Sequence, residues 1–212
     1  MDIKDIKKIL KKTWYLIWKS DSIWSWLVNV LLAFLIIKFI VYPGLGFFLE
    51  TTHPIVAVVS SSMEHDGSFN QWWASSASCK EGLCTQSAFY SEFDITKEQF
   101  LEFKFKDGFN KGDIIVLKSR DPEKINVGDV IVFRSITSDP IIHRVIRKWQ
   151  QNNVYYFQTK GDHNSQSVKS ASLDETKISQ DAVIGKAVLR IRYLGWIKIA
   201  FVGLLKLIGI PQ

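Results

Sequence analysis

The longest apolar stretch of the chain reads IWSWLVNVLLAFLIIKFIVY, from Ile23 to Tyr42, and is interrupted only by Ser25, Asn29 and Lys38. A helix of about 20 apolar residues spans the hydrocarbon core of a bilayer. Aromatic side chains, which favour the membrane interface, lie near both ends of the stretch. The pattern therefore predicts a transmembrane helix over residues 23–42.

Two other interpretations of this stretch fit less well. A cleavable signal peptide has a shorter apolar run and a small-x-small site after it, whereas Tyr42-Pro43-Gly44 follows here. A buried core helix is disfavoured because twenty nearly uniform apolar residues stand beside a basic flank.

Short β-branched runs alternate with Gly-Asp and Asp-Pro turns between residues 51 and 192, which is typical of antiparallel strands. The runs are Ile55–Ser60, Ile114–Lys118, Val130–Arg134, Ile141–Arg147, Val154–Thr159 and Ala182–Ile191. We predict a mainly β fold, with a twisted antiparallel β domain over residues 43–192. Residues 64–110 are rich in serine and aromatic residues without a regular period, so we expect an inserted cap there.

The last apolar segment, YLGWIKIAFVGLLKLIGI from Tyr193 to Ile210, carries Lys198 and Lys206 and has roughly helical spacing of its apolar residues. We predict a C-terminal helix within residues 193–212. Its pattern fits a membrane span, an interfacial helix or a helix packed on the domain.

The charge distribution argues against nucleic-acid binding. The 212 residues include 27 Lys and Arg and 21 Asp and Glu, for a net charge of +6. Six lysines against two aspartates fall within the first 20 residues, so only +2 remains for the rest of the chain. By the positive-inside rule, we expect residues 1–22 to form a cytoplasmic basic segment and the β domain to lie outside the cytoplasm.

The cysteines are Cys79 and Cys84, in the segment CKEGLC. Four intervening residues allow a small disulfide loop in an oxidising compartment, and two free thiols are the alternative. Two ligands alone make a poor zinc site, so no metal is expected.

Three groups of residues could carry hydrolytic chemistry. Ser60-Ser61-Ser62-Met63 directly follows a predicted strand, His143 lies within the apolar strand IIHRVIR, and Asp162 follows another strand. A serine hydroxyl needs a neighbouring base to become a nucleophile, and an acid can orient that base. These residue types alone would more often be structural than catalytic.

The order of the motifs is more specific than the residue types. SSSM, KGDIIVLK, VGDVIVFR, PIIHRVI, TKGDHN and GKAVLRIRYLG follow one another behind the apolar helix. Together they resemble signal peptidase I of the archaeal and endoplasmic-reticulum type, which uses histidine where the bacterial enzymes use lysine. The resemblance covers the anchor and most of residues 51–195, and leaves 66–108 outside it.

The resemblance implies roles for individual residues. Ser62 matches the nucleophile, His143 the general base, and Ser60 the position whose hydroxyl helps to bind the oxyanion. Asp162 matches the aspartate of a Lys-Gly-Asp motif. A second family aspartate falls about six residues later, where this chain has Val168, so Asp174 is the next candidate. We expect Asp162 or Asp174 to orient His143.

A second departure from the family lies just after the nucleophile. The family usually has a proline shortly after Ser-Met, and this chain continues as Met63-Glu64-His65-Asp66. We interpret His65 as a cleft or turn residue, His163 as part of the turn beside Asp162, and His53 as structural.

The resemblance implies a membrane-bound serine endopeptidase of the cell membrane, with one or two spans, that removes signal peptides after small-x-small sites. Its partners would be signal-peptide-bearing preproteins and the lipid bilayer, and it allows an association with the protein-export channel. No cofactor is implied. The alternatives are an inactive, membrane-tethered peptide-binding β domain and a related peptidase that matures a narrower set of exported proteins. The pair Trp72-Trp73 predicts either a lipid-dipping rim or a small core of its own.

Overall fold

The structure is a computed structural model, and it describes residues 3–136 and 139–207. The chain divides into two compact units between Phe48 and Leu49. The last part of the predicted C-terminal helix, residues 208–212, lies outside the described residues, as do residues 1 and 2.

The N-terminal unit is helical. Helix α1 (Ile3–Trp18) precedes α2 (Ile23–Ile36), and the side-chain amide of Asn29 donates to the carbonyl of Ile17 at 3.0 Å. The Ser22 hydroxyl caps α2 by accepting from the backbone N–H of Ser25 at 3.1 Å, which satisfies one of the free donors of the first turn.

The apolar helix continues beyond the predicted end at Tyr42. A π-helical segment (Ile37–Val41) joins α2 to α3 (Tyr42–Phe48) without a break in the helical run. The run Ile23–Phe48 has 26 residues and a mean hydropathy of 2.2 in its most apolar window. At 1.5 Å per residue it is about 39 Å long, which is enough to cross a bilayer. The π-helical segment ends two residues before Pro43, which has no N–H to offer a regular α-helical ladder.

The second unit contains the predicted antiparallel β domain. Seven strands form one curled sheet: β1 (Ile55–Ala57), β4 (Ile114–Lys118), β5 (Val130–Phe133), β6 (Ile141–Gln151), β7 (Val154–Lys160), β8 (Ile178–Ser179) and β9 (Val183–Ile191). Their order in the sheet is β1-β4-β9-β5-β6-β7-β8, and every neighbouring pair is antiparallel.

The two Gly-Asp motifs form two similar turns before β4 and β5. Gly112 and Gly128 have positive φ angles of 89° and 91°, which glycine adopts without a steric penalty. In each turn the following aspartate, Asp113 or Asp129, accepts a hydrogen bond from the backbone N–H three residues earlier, at 3.0 and 2.8 Å. The turn chemistry predicted from the sequence is therefore present at both strand starts.

Residues 64–110, which we call the cap, fold as a compact helical insertion with a small hairpin. It contains α4 (Phe69–Trp73), β2 (Ser76–Cys79), β3 (Gly82–Thr85), α5 (Gln86–Ser91) and α6 (Lys97–Glu102). Cys79 and Cys84 form a disulfide across the β2–β3 hairpin, with their Cα atoms 5.8 Å apart.

The cap has its own aromatic core. Trp72 and Trp73 are only 2% and 7% exposed and pack among Phe89, Tyr90 and Phe100. Buried indole rings cannot dip into lipid, so the hypothesis of a tryptophan rim is wrong and the small-core alternative is correct. Helix α7 (Trp196–Leu207) follows β9 at the end of the described chain.

Candidate active site

The candidate nucleophile lies on a turn that follows β1. Ser62 is half-buried, and the next side chain, Met63, is fully buried in the core beneath the sheet. The backbone of Met63 also holds this turn, since its carbonyl accepts a hydrogen bond from the N–H of Phe109 at 2.8 Å. The Ser62 carbonyl accepts from the N–H of His163 at 2.9 Å. The serine is thus held by backbone contacts on both sides.

The candidate base comes from the central sheet. His143 lies on β6 opposite Ile131 of β5 and is 4% exposed. Its Nε2 is 2.9 Å from the Oγ of Ser62, although the two residues are 81 positions apart. The structure therefore brings these two predicted residues within hydrogen-bond distance.

Ser60 lies on the same turn as Ser62. It is exposed, and its Oγ is 3.2 Å from the Oγ of Ser62. A donor at this position is near enough to the nucleophile to reach an oxygen that develops negative charge on an attacked carbonyl.

The acid partner of His143 is Glu175, which the sequence did not lead us to expect. The Nδ1 of His143 makes a buried hydrogen bond with Oε1 of Glu175. The same oxygen accepts from the hydroxyl of Thr159 at 2.8 Å, and Oε2 accepts from the N–H of Val168 at 2.8 Å. Because an ionised carboxylate only accepts, Nδ1 carries the hydrogen and Nε2 is free to accept from Ser62.

Asp174 does not contact His143, which corrects one of the two predicted acids. It is exposed and accepts from the backbone N–H of Thr176 at 2.9 Å and from its hydroxyl. These contacts hold the pKa of Asp174 below its usual value. Residue 174 pairs with Lys169 in a β-bridge, and the next residue, Glu175, has its side chain buried.

Asp162 does not contact His143 either, and this corrects the other predicted acid. Its carboxylate is fully buried and accepts from the Nε and Nη2 of Arg144 at 2.9 and 2.6 Å. Burial alone would raise the pKa of Asp162, but the charge of Arg144 and hydrogen bonds from His65 and Arg144 outweigh it and hold that pKa well below its usual range. Asp162 is therefore a structural anion beside the site.

The remaining histidines lie away from the hydroxyl of Ser62. His65 contacts Asp162 at 3.0 Å, the exposed His163 is 3.5 Å from Asp66, and His53 contacts the hydroxyl of Thr52 at 2.9 Å. Within the described residues, no group of three His, Cys, Asp or Glu side chains is arranged to hold a metal ion.

The hydrogen bond between Ser62 and His143 allows the imidazole to take the proton of the serine hydroxyl, and the bond between His143 and Glu175 orients that imidazole. Sequence reasoning missed Glu175 because Asp174 and Glu175 are adjacent in a loop without a regular period, where only the fold decides which of them faces inward. The family's aspartate at this place also directed attention to Asp174 and away from a glutamate.

Comparison with known proteins finds similar sequences among catalytic subunits of the signal peptidase complex. No family model matches the chain. Two "Signal peptidase complex catalytic subunit SEC11" proteins, from Pyricularia oryzae and Colletotrichum graminicola, are 26% and 27% identical over 125 residues, which cover 53% of this chain and 73% of each relative. The same-named protein of Clavispora lusitaniae is 38% identical over 66 residues, or 31% of this chain and 39% of the relative. Over about half of its length, the chain is thus similar to catalytic subunits of the signal peptidase complex.

Proposed function

We propose that this protein is a membrane-bound serine endopeptidase that removes signal peptides from exported preproteins. The observation that carries the proposal is the chain of contacts from Ser62 through His143 to Glu175. The similarity to signal peptidase catalytic subunits supports the same activity.

In the proposed reaction, Ser62 Oγ attacks the scissile carbonyl while Nε2 of His143 takes its proton. Glu175 holds the imidazole in the tautomer that accepts this proton, and it stabilises the imidazolium that forms. The imidazolium then returns the proton to the leaving amine, and a water repeats the sequence to release the acyl group. Ser60 and the backbone N–H of Ser62 donate to the oxyanion.

The proposed substrate is an extended peptide with small side chains at the first and third positions before the cut, as the family resemblance implies. Pairing with a strand edge would supply affinity that does not depend on side chains, and shallow pockets would supply the selection. With the lysine-rich segment in the cytoplasm and the run Ile23–Phe48 as the anchor, the β domain would work on the opposite side of the membrane.

The inactive peptide-binding domain is less well supported than the enzyme. A domain that only binds peptides does not require a buried carboxylate to orient the imidazole, whereas Glu175 is fully buried and accepts three hydrogen bonds. The second alternative, a related peptidase that matures a narrower set of exported proteins, would use the same chemistry.

The decisive experiment is cleavage of a signal-peptide-bearing preprotein by the full chain in detergent, with the product's new N-terminus read by mass spectrometry. Ser62→Ala and His143→Ala should each abolish cleavage. Ser61→Ala is the matched control, since its exposed side chain lies next to Ser62 and should leave the rate unchanged. Equal cleavage by Ser62→Ala and the wild type would refute the proposal.

A further inference from the structure

The cap packs its aromatic core against the turn formed by Lys160, Gly161 and Asp162, which we call the KGD turn. We propose that the cap positions Ser62 and His143 by holding the KGD turn in place. His65 and Tyr90 are the positioning residues of the cap, because both contact the carboxylate of Asp162 in this turn. The inference rests on the proposed function. It assigns a role to the cap, most of which lies outside the motifs that carry the family resemblance.

The cap donates directly to Asp162. Nε2 of His65 lies 3.0 Å from Oδ2, and the hydroxyl of Tyr90 donates to Oδ1 at 3.2 Å. The indole N–H of Trp72 donates to the backbone carbonyl of the same residue at 3.0 Å. Three cap side chains therefore hold one turn residue. Trp72, Tyr90 and Asp162 are buried, and the side chain of His65 is only 4% exposed.

Arg144 ties the cap backbone to the same carboxylate. Its Nη1 donates to the carbonyl of Lys104 at 3.2 Å and its Nη2 to that of Phe105 at 2.8 Å. The guanidinium also lies 4.7 Å from the centre of the Phe100 ring. Since Arg144 directly follows His143 on β6, the strand that carries the candidate base is itself fixed to the cap.

Lys160 is enclosed by the cap as well. Its ammonium donates to the side-chain oxygen of Gln86 at 2.8 Å and to the carbonyls of Gly161 and Asp162, and it lies 5.2 Å from the ring centres of Phe89 and Tyr90. Burial lowers the pKa of Lys160 to about 7. Side chains of the cap therefore contact the KGD turn at both Lys160 and Asp162.

The other side of the KGD turn touches the candidate catalytic residues. The N–H of Asp162 points to the sulfur of Met63 at 3.4 Å, and the N–H of the next residue donates to the carbonyl of Ser62 at 2.9 Å. A Cβ placed on Gly161 would lie 2.6 Å from the Ser62 carbonyl oxygen and 2.8 Å from Nε2 of His143. A small shift of this turn must therefore move one or both of them, and a misplacement of about 1 Å can cost 100-fold in rate.

His65 is held by a ring stack as well as by its contact with Asp162. The imidazole stacks on Trp72 with ring centres 3.7 Å apart and planes within 6°. Its Nδ1 is buried without a partner in the part of the chain that the structure describes, so the bond to Asp162 is its polar contact there.

The test compares variants of the full chain in detergent by kcat, KM and thermal midpoint on one preprotein. His65→Leu removes the donor, and His65→Gln places an amide N–H near the position of Nε2. We expect His65→Leu to lower kcat by about 10- to 100-fold with KM changed by less than about two-fold, and His65→Gln to recover most of the loss. Tyr90→Phe, which loses one oxygen atom, should lower kcat in the same direction.

The control is Leu83→Ser at the tip of the β2–β3 hairpin, where the side chain is 91% exposed. It should leave kcat and KM unchanged. Wild-type kcat in a folded His65→Leu protein, or equal losses in His65→Leu and His65→Gln, would overturn the positioning role. If His65→Leu does not fold, Tyr90→Phe against Leu83→Ser decides the question alone.

A second measurement separates this inference from the proposed function. Failure of the wild type to cleave any preprotein would refute the peptidase but not the coupling. Imidazole NMR of His143 in the full chain needs no substrate, and we expect His65→Leu and Tyr90→Phe to shift its Nδ1–H resonance while Leu83→Ser does not. An unmoved resonance in both cap variants would overturn the inference whether or not the protein is a peptidase.

Discussion

His143 is oriented by Glu175, whose carboxylate is fully buried and takes the Nδ1 hydrogen bond. The neighbouring Asp174 is exposed and bonds to Thr176 instead. Two adjacent acids of the same loop therefore have different roles, and the difference can be measured.

Glu175→Gln should lower kcat for preprotein cleavage by about 100- to 10,000-fold, because an amide can donate to Nδ1 and so stabilise the wrong imidazole tautomer. Asp174→Asn is the matched control, and an exposed substitution of this kind should change the rate by no more than about two-fold. Steady-state kinetics on one substrate would compare them. A larger loss in Asp174→Asn than in Glu175→Gln would contradict the assignment.

Gly161→Ala should abolish or strongly reduce cleavage. The added methyl group would lie 2.6 Å from the carbonyl oxygen of Ser62 and 2.8 Å from Nε2 of His143. Both distances are too short for contact with a methyl group, so the two residues would have to move away from it. Gly203→Ala in α7 is the control, since a methyl group there meets no atom within 4 Å and alanine favours a helix. Full activity in a folded Gly161→Ala protein would argue against the geometry around Ser62.

Asp162→Asn should lower the free energy of unfolding by about 3 to 5 kcal/mol at pH 7, because it leaves the charge of Arg144 buried and unpaired. Chemical denaturation of the two proteins would give the difference.

The pH dependence of this difference has a defined sign. The native pKa of Asp162 lies well below the unfolded value of about 4, so the carboxylate stabilises the fold fully above that value and loses this effect only as pH falls towards the native pKa. The gap between wild type and Asp162→Asn should therefore persist at pH 5 and narrow in stronger acid. A gap that vanished between pH 7 and pH 5 would contradict the strong pairing with Arg144.

Replacing both Cys79 and Cys84 by serine should destabilise the protein by about 2 kcal/mol, the value expected for closing so short a loop. The disulfide lies in a hairpin of the cap, and kcat at low temperature should stay close to the wild type. Thermal midpoints with and without a reductant would test this. The reductant should lower the midpoint of the wild type and leave that of the double variant unchanged.

Much of the fold follows from local patterns. The β-branched runs between Gly-Asp turns correspond to β4 and β5, and the glycines of both turns have the positive φ that such turns favour. The apolar run beginning at Ile23 is a helix, and it extends to Phe48 because a π-helical segment and a further α-helical segment, which contains Pro43, continue it. Local patterns predict such elements because the periods of helices and strands depend only on residues that are close together in the chain.

The interior of the cap was open to two interpretations for a physical reason. A tryptophan pair is equally suited to a membrane interface and to a small core. The fold decides between them by packing Trp72 and Trp73 with Phe100 and Tyr90, which come from two other helices of the cap.

The sequence alone determined the antiparallel β domain, the apolar helix and the motif order that singled out Ser62 and His143. Only the tertiary structure decided that these two side chains meet, that Asp162 pairs with Arg144, and that Glu175 faces the imidazole. Motifs fix the type of residue at a position, but the partner of a buried polar group depends on which side chains the sheet register and the loops bring within about 3 Å. That distance joins residues far apart in the chain, and no local period encodes it.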